Sequence, residues 1–224
     1  MEKIVAKHEW TAAIRINHWA MAVSILVLIV TGFYISDPFT ILQGETTDKM
    51  FMGEVRFWHL LFGVSLLFLF IWRIYIAFFS RFHADWNDFL CWMDWKRTLH
   101  QIRFYLLIDK EGPEHDGDCA YGPMQSLAYL GLFAMVGCIL ITGLILMGAG
   151  YHAGLTGLAY KALRPVENLL GGLAMVRYIH HIFTWGFILF IVVHIYMAFW
   201  YDAILKQGTV SSMISGRLFE KVKE

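Results

Sequence analysis

The chain has 224 residues, of which 58% are hydrophobic and only 16% charged, and its 18 basic and 18 acidic side chains leave a formal net charge of zero. A soluble domain has fewer apolar and more charged residues than this. The neutral balance also gives no electrostatic footprint for nucleic acid.

The first apolar run, about 16–35, is too long for a signal peptide and is followed by no small-residue cleavage site. It is expected to stay in the mature protein as its first spanning helix. It carries His18 near its start and Gly32 near its end. The connection 36–55, with Pro38, Gly44, Gly53 and several acids, reads as a short docking surface.

The second run, about 57–79, begins beside Arg56 and His59 and holds Arg73 within its apolar part. A long connection, 80–123, follows. Its stretch WNDFLCWMDWKRTLHQIRFYLL mixes aromatics with charges. That mixture fits an interfacial amphipathic helix over about 86–108, or an aromatic flank to the second helix. DKEGPEHDGDCAYGP is then a polar turn region, and His100 and His115 read as solvated or interfacial.

The third run is about 126–148, with Cys138 as a small packing residue. The fourth, about 179–200, lies mostly within RYIHHIFTWGFILFIVVH, residues 177–194. Each run is close to the ~20 residues a bilayer-crossing helix needs. None alternates as barrel strands do. The prediction is an all-α, integral membrane four-helix bundle, with 1–224 forming a single domain.

Orientation follows from Lys and Arg. With the N-terminus in the cytoplasm, Lys3, Lys7, Arg15, Arg81, Lys96, Arg97, Arg103, Lys110, Lys206, Arg217, Lys221 and Lys223 fall inside. Lys49, Arg56, Lys161, Arg164 and Arg177 fall outside. Twelve against five places both termini in the cytoplasm.

Four of the ten histidines carry the chemistry: His18, His59, His180 and His194. A polar ionisable residue inside a membrane segment is a functional candidate. His180 and His194 are 14 residues apart, which puts them within about 40° of one helix face and about 21 Å apart along it. His181 is about 140° from His194 by the same geometry and reads as a supporting residue. Depth in the membrane then pairs His18 with His194 on the inner side and His59 with His180 on the outer side. Two stacked bis-imidazole sites are the arrangement of a dihaem cytochrome b. The absence of C-x-x-C-H excludes a covalently attached c-type haem.

Arginine recurs three residues before three of these histidines: Arg15 before His18, Arg56 before His59, Arg177 before His180. That spacing shares a helix face, and arginine pairs well with carboxylates such as haem propionates. Stepping 14 residues from His18 reaches Gly32, where a flat macrocycle could approach the backbone. VTGF there recurs as ITGL at Thr142–Gly143. The same step from His59 reaches Arg73, which either pairs with an inner propionate or snorkels to the surface.

The motifs RINHWAMAVSILVLIVTGF and RYIHHIFTWGFILFIVVH, with the HIYMAFWYD ending, resemble the b-type cytochrome subunit of membrane-bound, quinone-reactive nickel–iron hydrogenases. That superfamily includes the gamma subunits of respiratory formate dehydrogenases. The resemblance covers essentially the whole chain and implies two haem b groups, ligated by the four histidines in the pairing above. It implies a bacterial inner (cytoplasmic) membrane protein that anchors hydrogenase small (iron–sulfur) and large subunits on the outer face. Electrons would pass from the iron–sulfur subunit to the outer haem, then to the inner haem, then to a quinone, menaquinone being the first candidate. With quinone protons taken from the cytoplasm, that path is electrogenic. Tyr196, His100 and Arg103 are quinone-site candidates near His194. The chain lacks the cysteine pairs of a nickel–iron centre, so hydrogen activation would belong to the partners and no catalytic residue is assigned here.

Other readings remain at this point. The partner could be a formate dehydrogenase or thiosulfate reductase. A haem-free transporter could use the histidines as a proton relay, and a plain anchor could carry structural haems. The transporter predicts no bound haem and gives no reason for the 14-residue step or the repeated Arg-x-x-His.

Overall fold

The structure is a computed structural model that describes residues 2–39, 50–79, 87–105, 108–109, 122–205 and 208–223. Four long helices dominate it: α1 (Ala12–Ser36), α2 (Phe51–Phe79), α4 (Pro123–Gly150) and α6 (Leu173–Leu205). All four are long and apolar enough to span a membrane. Val30, Phe68, Leu130 and Leu189 are exposed on them. Apolar exposure on a helix this hydrophobic is a lipid-facing surface.

Each helix contains its predicted apolar run and continues past it. α2 starts at Phe51 rather than at 57, with Glu54 in its first turn, where the positive end of the helix dipole favours an acid. α6 starts at Leu173 rather than at 179. It follows Gly171 and Gly172, with φ of 96° and 88°, and Gly171 is the left-handed cap that ends the preceding helix. Apolarity marks where lipid is, and caps mark where helices end.

Two compact units emerge: Met1–Arg15, Arg73–Val136 and Val192–Glu224 form one, and Ile16–Trp72 and Gly137–Ile191 form the other.

The first unit adds a two-stranded ribbon to the mostly helical fold that the all-α prediction describes. Strand β1 (Glu2–His8) pairs antiparallel with β2 (Arg217–Lys223), His8 opposite Arg217 and Glu2 opposite Lys223. Helix α7 (Thr209–Ser215) leads into β2 through Gly216, whose φ is 79°. The Gly216 carbonyl accepts the N–H groups of Glu9 and Trp10 at 2.9 and 3.2 Å. A Cβ at Gly216 would lie 2.8 Å from the Trp10 carbonyl oxygen, so only glycine fits this corner. Arg15 donates to the Ile214 carbonyl.

Where one interfacial helix is predicted over 86–108, the described residues form a 3-10 turn (Asn87–Met93) and then α3 (Trp95–Tyr105). Asp94 divides them. Its carboxylate accepts the N–H groups of Lys96 and Arg97 at 3.2 and 3.3 Å, which starts a new helix. Trp92 N–H donates to Ser126 Oγ (3.0 Å) and Met124 N–H to Gln101 Oε1 (2.9 Å), tying this region to the start of α4. Trp86, Arg81, residues 106–107, the 110–121 turn region with His115, and 40–49 of the outer connection lie outside the described residues.

The second unit packs segments of the four long helices around Leu66, Ile145, Val176 and Phe187, each 2% exposed or less. It also holds α5 (Gly154–Leu170), in the connection between the third and fourth apolar runs. Several polar side chains here bond to helix backbone, which suits a membrane interior. Ser24 and Thr184 donate to the carbonyls of Ala20 and His180. Asn17 is only 2% exposed and donates to the Leu69 carbonyl of α2 at 3.0 Å. This bond fixes α1 against α2 beside His18.

Candidate functional site

His59 lies near the start of α2 and His180 in the first third of α6, and their rings face one another in the second unit. The ring centroids are 6.5 Å apart. Two imidazoles bound to one metal at about 2 Å each place their centres roughly 6 Å apart, so this gap has the size of a bis-imidazole site.

Each ring is held by a threonine of another helix. Thr31 Oγ1, on α1, is 2.8 Å from His59 Nδ1. Thr142 Oγ1, on α4, is 2.8 Å from His180 Nδ1. Each threonine is followed by a glycine against the same ring. A Cβ on Gly32 would sit 3.3 Å from His59 Cε1, and one on Gly143 would sit 3.4 Å from His180 Cε1. With Nδ1 engaged, Nε2 is the nitrogen left to ligate iron.

The donor set fits a haem better than a metal held by side chains alone. Among the described residues, no cluster of three His, Cys, Asp or Glu exists. Protein-only sites need three or four such ligands, whereas haem brings four nitrogens and asks the protein for axial ones.

His181, next to His180, turns away. Its Nε2 accepts the Trp185 indole N–H at 3.3 Å, and its ring meets Phe33 of α1 edge-on at 5.4 Å. The neighbouring imidazoles thus take separate surroundings, as the helical phase requires. Arg56 and Arg177, three residues before His59 and His180, are exposed and make no ion pair among the described residues.

The remaining candidates are spread over both units. His18, half-buried on α1, stands edge-on to Trp19 at 5.3 Å. His194 and Tyr196 are exposed on the α6 segment of the other unit. Arg73 interacts electrostatically with Tyr129 of α4. Arg103 pairs with Asp109 at 3.2 Å, and His100 is 3.8 Å from the same carboxylate. Thr31, Thr142, Gly143 and Asn17 are site or supporting residues that the sequence reading did not assign. The recurring Thr-Gly pair was the available signal.

The model of the prokaryotic cytochrome b561 family matches residues 9–216. The chain belongs to that family. A probable Ni/Fe-hydrogenase B-type cytochrome subunit of Azotobacter vinelandii is 33% identical, over 98% of this chain and 92% of the relative. One of the same description from Bradyrhizobium diazoefficiens is 33% identical, over 92% and 83%. The probable Ni/Fe-hydrogenase 1 B-type cytochrome subunit of Escherichia coli K12 is 28% identical, over 96% and 92%. As a b-type cytochrome of this family, the protein is a multi-pass bacterial inner-membrane electron carrier with haem b as its cofactor.

Gly32 shows how tight the cytochrome's facing pair is. Its bare backbone makes room for the His59 ring itself, in addition to whatever the ring binds. Gly32→Leu is expected to push the imidazole aside and to lower haem content. Haem-to-protein ratio by pyridine haemochrome checks this, with Gly63→Leu as control, since a Cβ at Gly63 meets only the tip of Leu28, at 3.9 Å.

Proposed function

We propose that this chain is a dihaem cytochrome b subunit that takes electrons from a nickel–iron hydrogenase at the outer membrane face and delivers them to quinone near the cytoplasmic face. When bound, haem iron supplies the one-electron relay. His59 and His180 hold the outer group through Nε2, with their Nδ1 atoms bonded to Thr31 and Thr142. His18 and His194 hold the inner group. Arg56 and Arg177 at the outer site, and Arg15 and Arg73 at the inner one, balance the propionates, Arg15 with its remaining donors. Gly32 and Gly143 make room beside the helix backbones for the His59 and His180 rings that would hold the outer group. Tyr196, His100 and Arg103 border the quinone end, with menaquinone as the first substrate to try. The span 1–224 works as one domain.

The observation that carries this reading is the His59–His180 pair, a ligand-sized gap apart with both Nδ1 atoms held. The hydrogenase partner is supported by the relatives, which are probable Ni/Fe-hydrogenase B-type cytochrome subunits. The antiparallel pairing of β1 with β2 supports both termini on one side, and the Lys/Arg balance makes that side the cytoplasm. Haem b per polypeptide, measured by pyridine haemochrome on the purified chain, is expected to be near two. A value near zero with haem supplied during expression overturns the proposal and returns the histidines to a proton relay.

A further inference from the structure

We infer that Thr31 and Thr142 are positioning residues that set the electron-donating strength of His59 and His180, and with it the reduction potential of the outer haem. The inference rests on ligation of that haem by these two histidines.

The direction of each hydrogen bond decides the argument. A threonine hydroxyl has one proton and two lone pairs. Thr31 spends its proton within its own helix, 2.7 Å from the Val27 carbonyl. Thr142 does the same, 2.9 Å from the Cys138 carbonyl and 3.0 Å from that of Ile139. With those protons turned to the helix backbone, the oxygens present lone pairs to the imidazoles, and the Leu28 and Ile139 carbonyls also meet the His59 and His180 rings. The proton on each ring sits on Nδ1, and the lone pair on Nε2.

An acceptor at the far nitrogen makes the ligating nitrogen more basic. A more basic axial ligand stabilises oxidised iron and lowers the potential, one of the levers by which a protein tunes haem. The water-poor interior strengthens both bonds. A neutral hydroxyl accepts more weakly than a carboxylate would, so the device lowers the potential by a modest step per ring.

Two independent copies exist. Thr31 reaches from α1 to α2 and Thr142 from α4 to α6, both at 2.8 Å and both followed by a ring-facing glycine. Thr184 supplies an internal contrast. It bonds back to the His180 carbonyl at 3.2 Å like any helical threonine, with no imidazole bonded to it among the described residues.

The test is a spectroelectrochemical titration of the full-length, haem-loaded chain, with the outer component assigned by its loss in His59→Ala. Thr31→Val and Thr142→Val keep side-chain shape and remove the acceptor. Each is expected to shift the outer potential upward, with the two shifts adding in the double variant. The low-spin electron paramagnetic resonance signal, which reports the imidazole planes, should move with them. Thr31→Ser and Thr142→Ser should restore both readings, and Thr184→Val should move neither. Val variants that lose haem while Ser variants keep it also support the role of the hydroxyl. Unchanged or lowered potentials in the Val variants overturn the inference, as does equal loss of haem from Val and Ser variants. A wild-type chain without haem would instead sink the ligand assignment on which the inference rests.

Discussion

His59→Ala and His180→Ala are each expected to lower the haem content from two per chain to one and to abolish hydrogen-driven quinone reduction in the assembled complex. Activity of the hydrogenase with an artificial dye should survive, because the dye takes electrons before they enter this subunit. The loss should be all-or-none at the outer site, since the gap between the rings has the size of a site that both imidazoles would build together. His181→Ala is the discriminating companion. Its ring is committed to Trp185 and Phe33, so haem content should stay at two. If His181→Ala removed a haem and His180→Ala did not, the face assignment on α6 would be wrong.

Much of this site is legible in the sequence because a helix converts spacing into direction. The 14-residue step from His180 to His194 gives a shared helix face, and Arg-x-x-His places an arginine one turn before each of three histidines on the same face. Thr31 and Thr142 were harder to find. Threonine in an apolar helix usually bonds to its own backbone, and both do. Only the packing of α1 on α2 and α4 on α6 shows that the same oxygens also serve an imidazole. Gly32 was visible as a glycine near a ring, but the ring closest to it is His59.

The termini were not legible for a different reason. EKIVAKH and RLFEKVK are short, mixed segments whose pairing partners lie at opposite ends of the chain. No local pattern announces a ribbon with such a separation, and neither strand could be stable alone. α5 is obscured by its own composition. Pro165 within it and glycines around it read as loop, although Gly171 is the left-handed cap that ends it. The break at Asp94 belongs to the same class, because a capping aspartate inside an amphipathic pattern looks like one more exposed charge.

The inner pair is expected to differ from the outer one in whether hydrogen still reduces the haem that remains, and that difference tests the order of the relay. His18→Ala and His194→Ala are each expected to leave one haem per chain, now the outer one, with its Thr31 and Thr142 bonds intact. Hydrogen should still reduce that haem through the partner, yet quinone reduction should fall to background because the route stops halfway. In His59→Ala, by contrast, hydrogen should reduce neither site. Asn17 sharpens the comparison. It is buried next to His18 and bonded to the Leu69 carbonyl; such bonds between membrane helices are worth about 0.6 kcal/mol on average. Asn17→Leu should therefore weaken inner-haem retention without erasing it. Loss of the outer haem's spectrum in His18→Ala would mean that depth does not pair these histidines as proposed. Retained quinone reduction in His194→Ala would mean that electrons leave the chain before reaching the inner site.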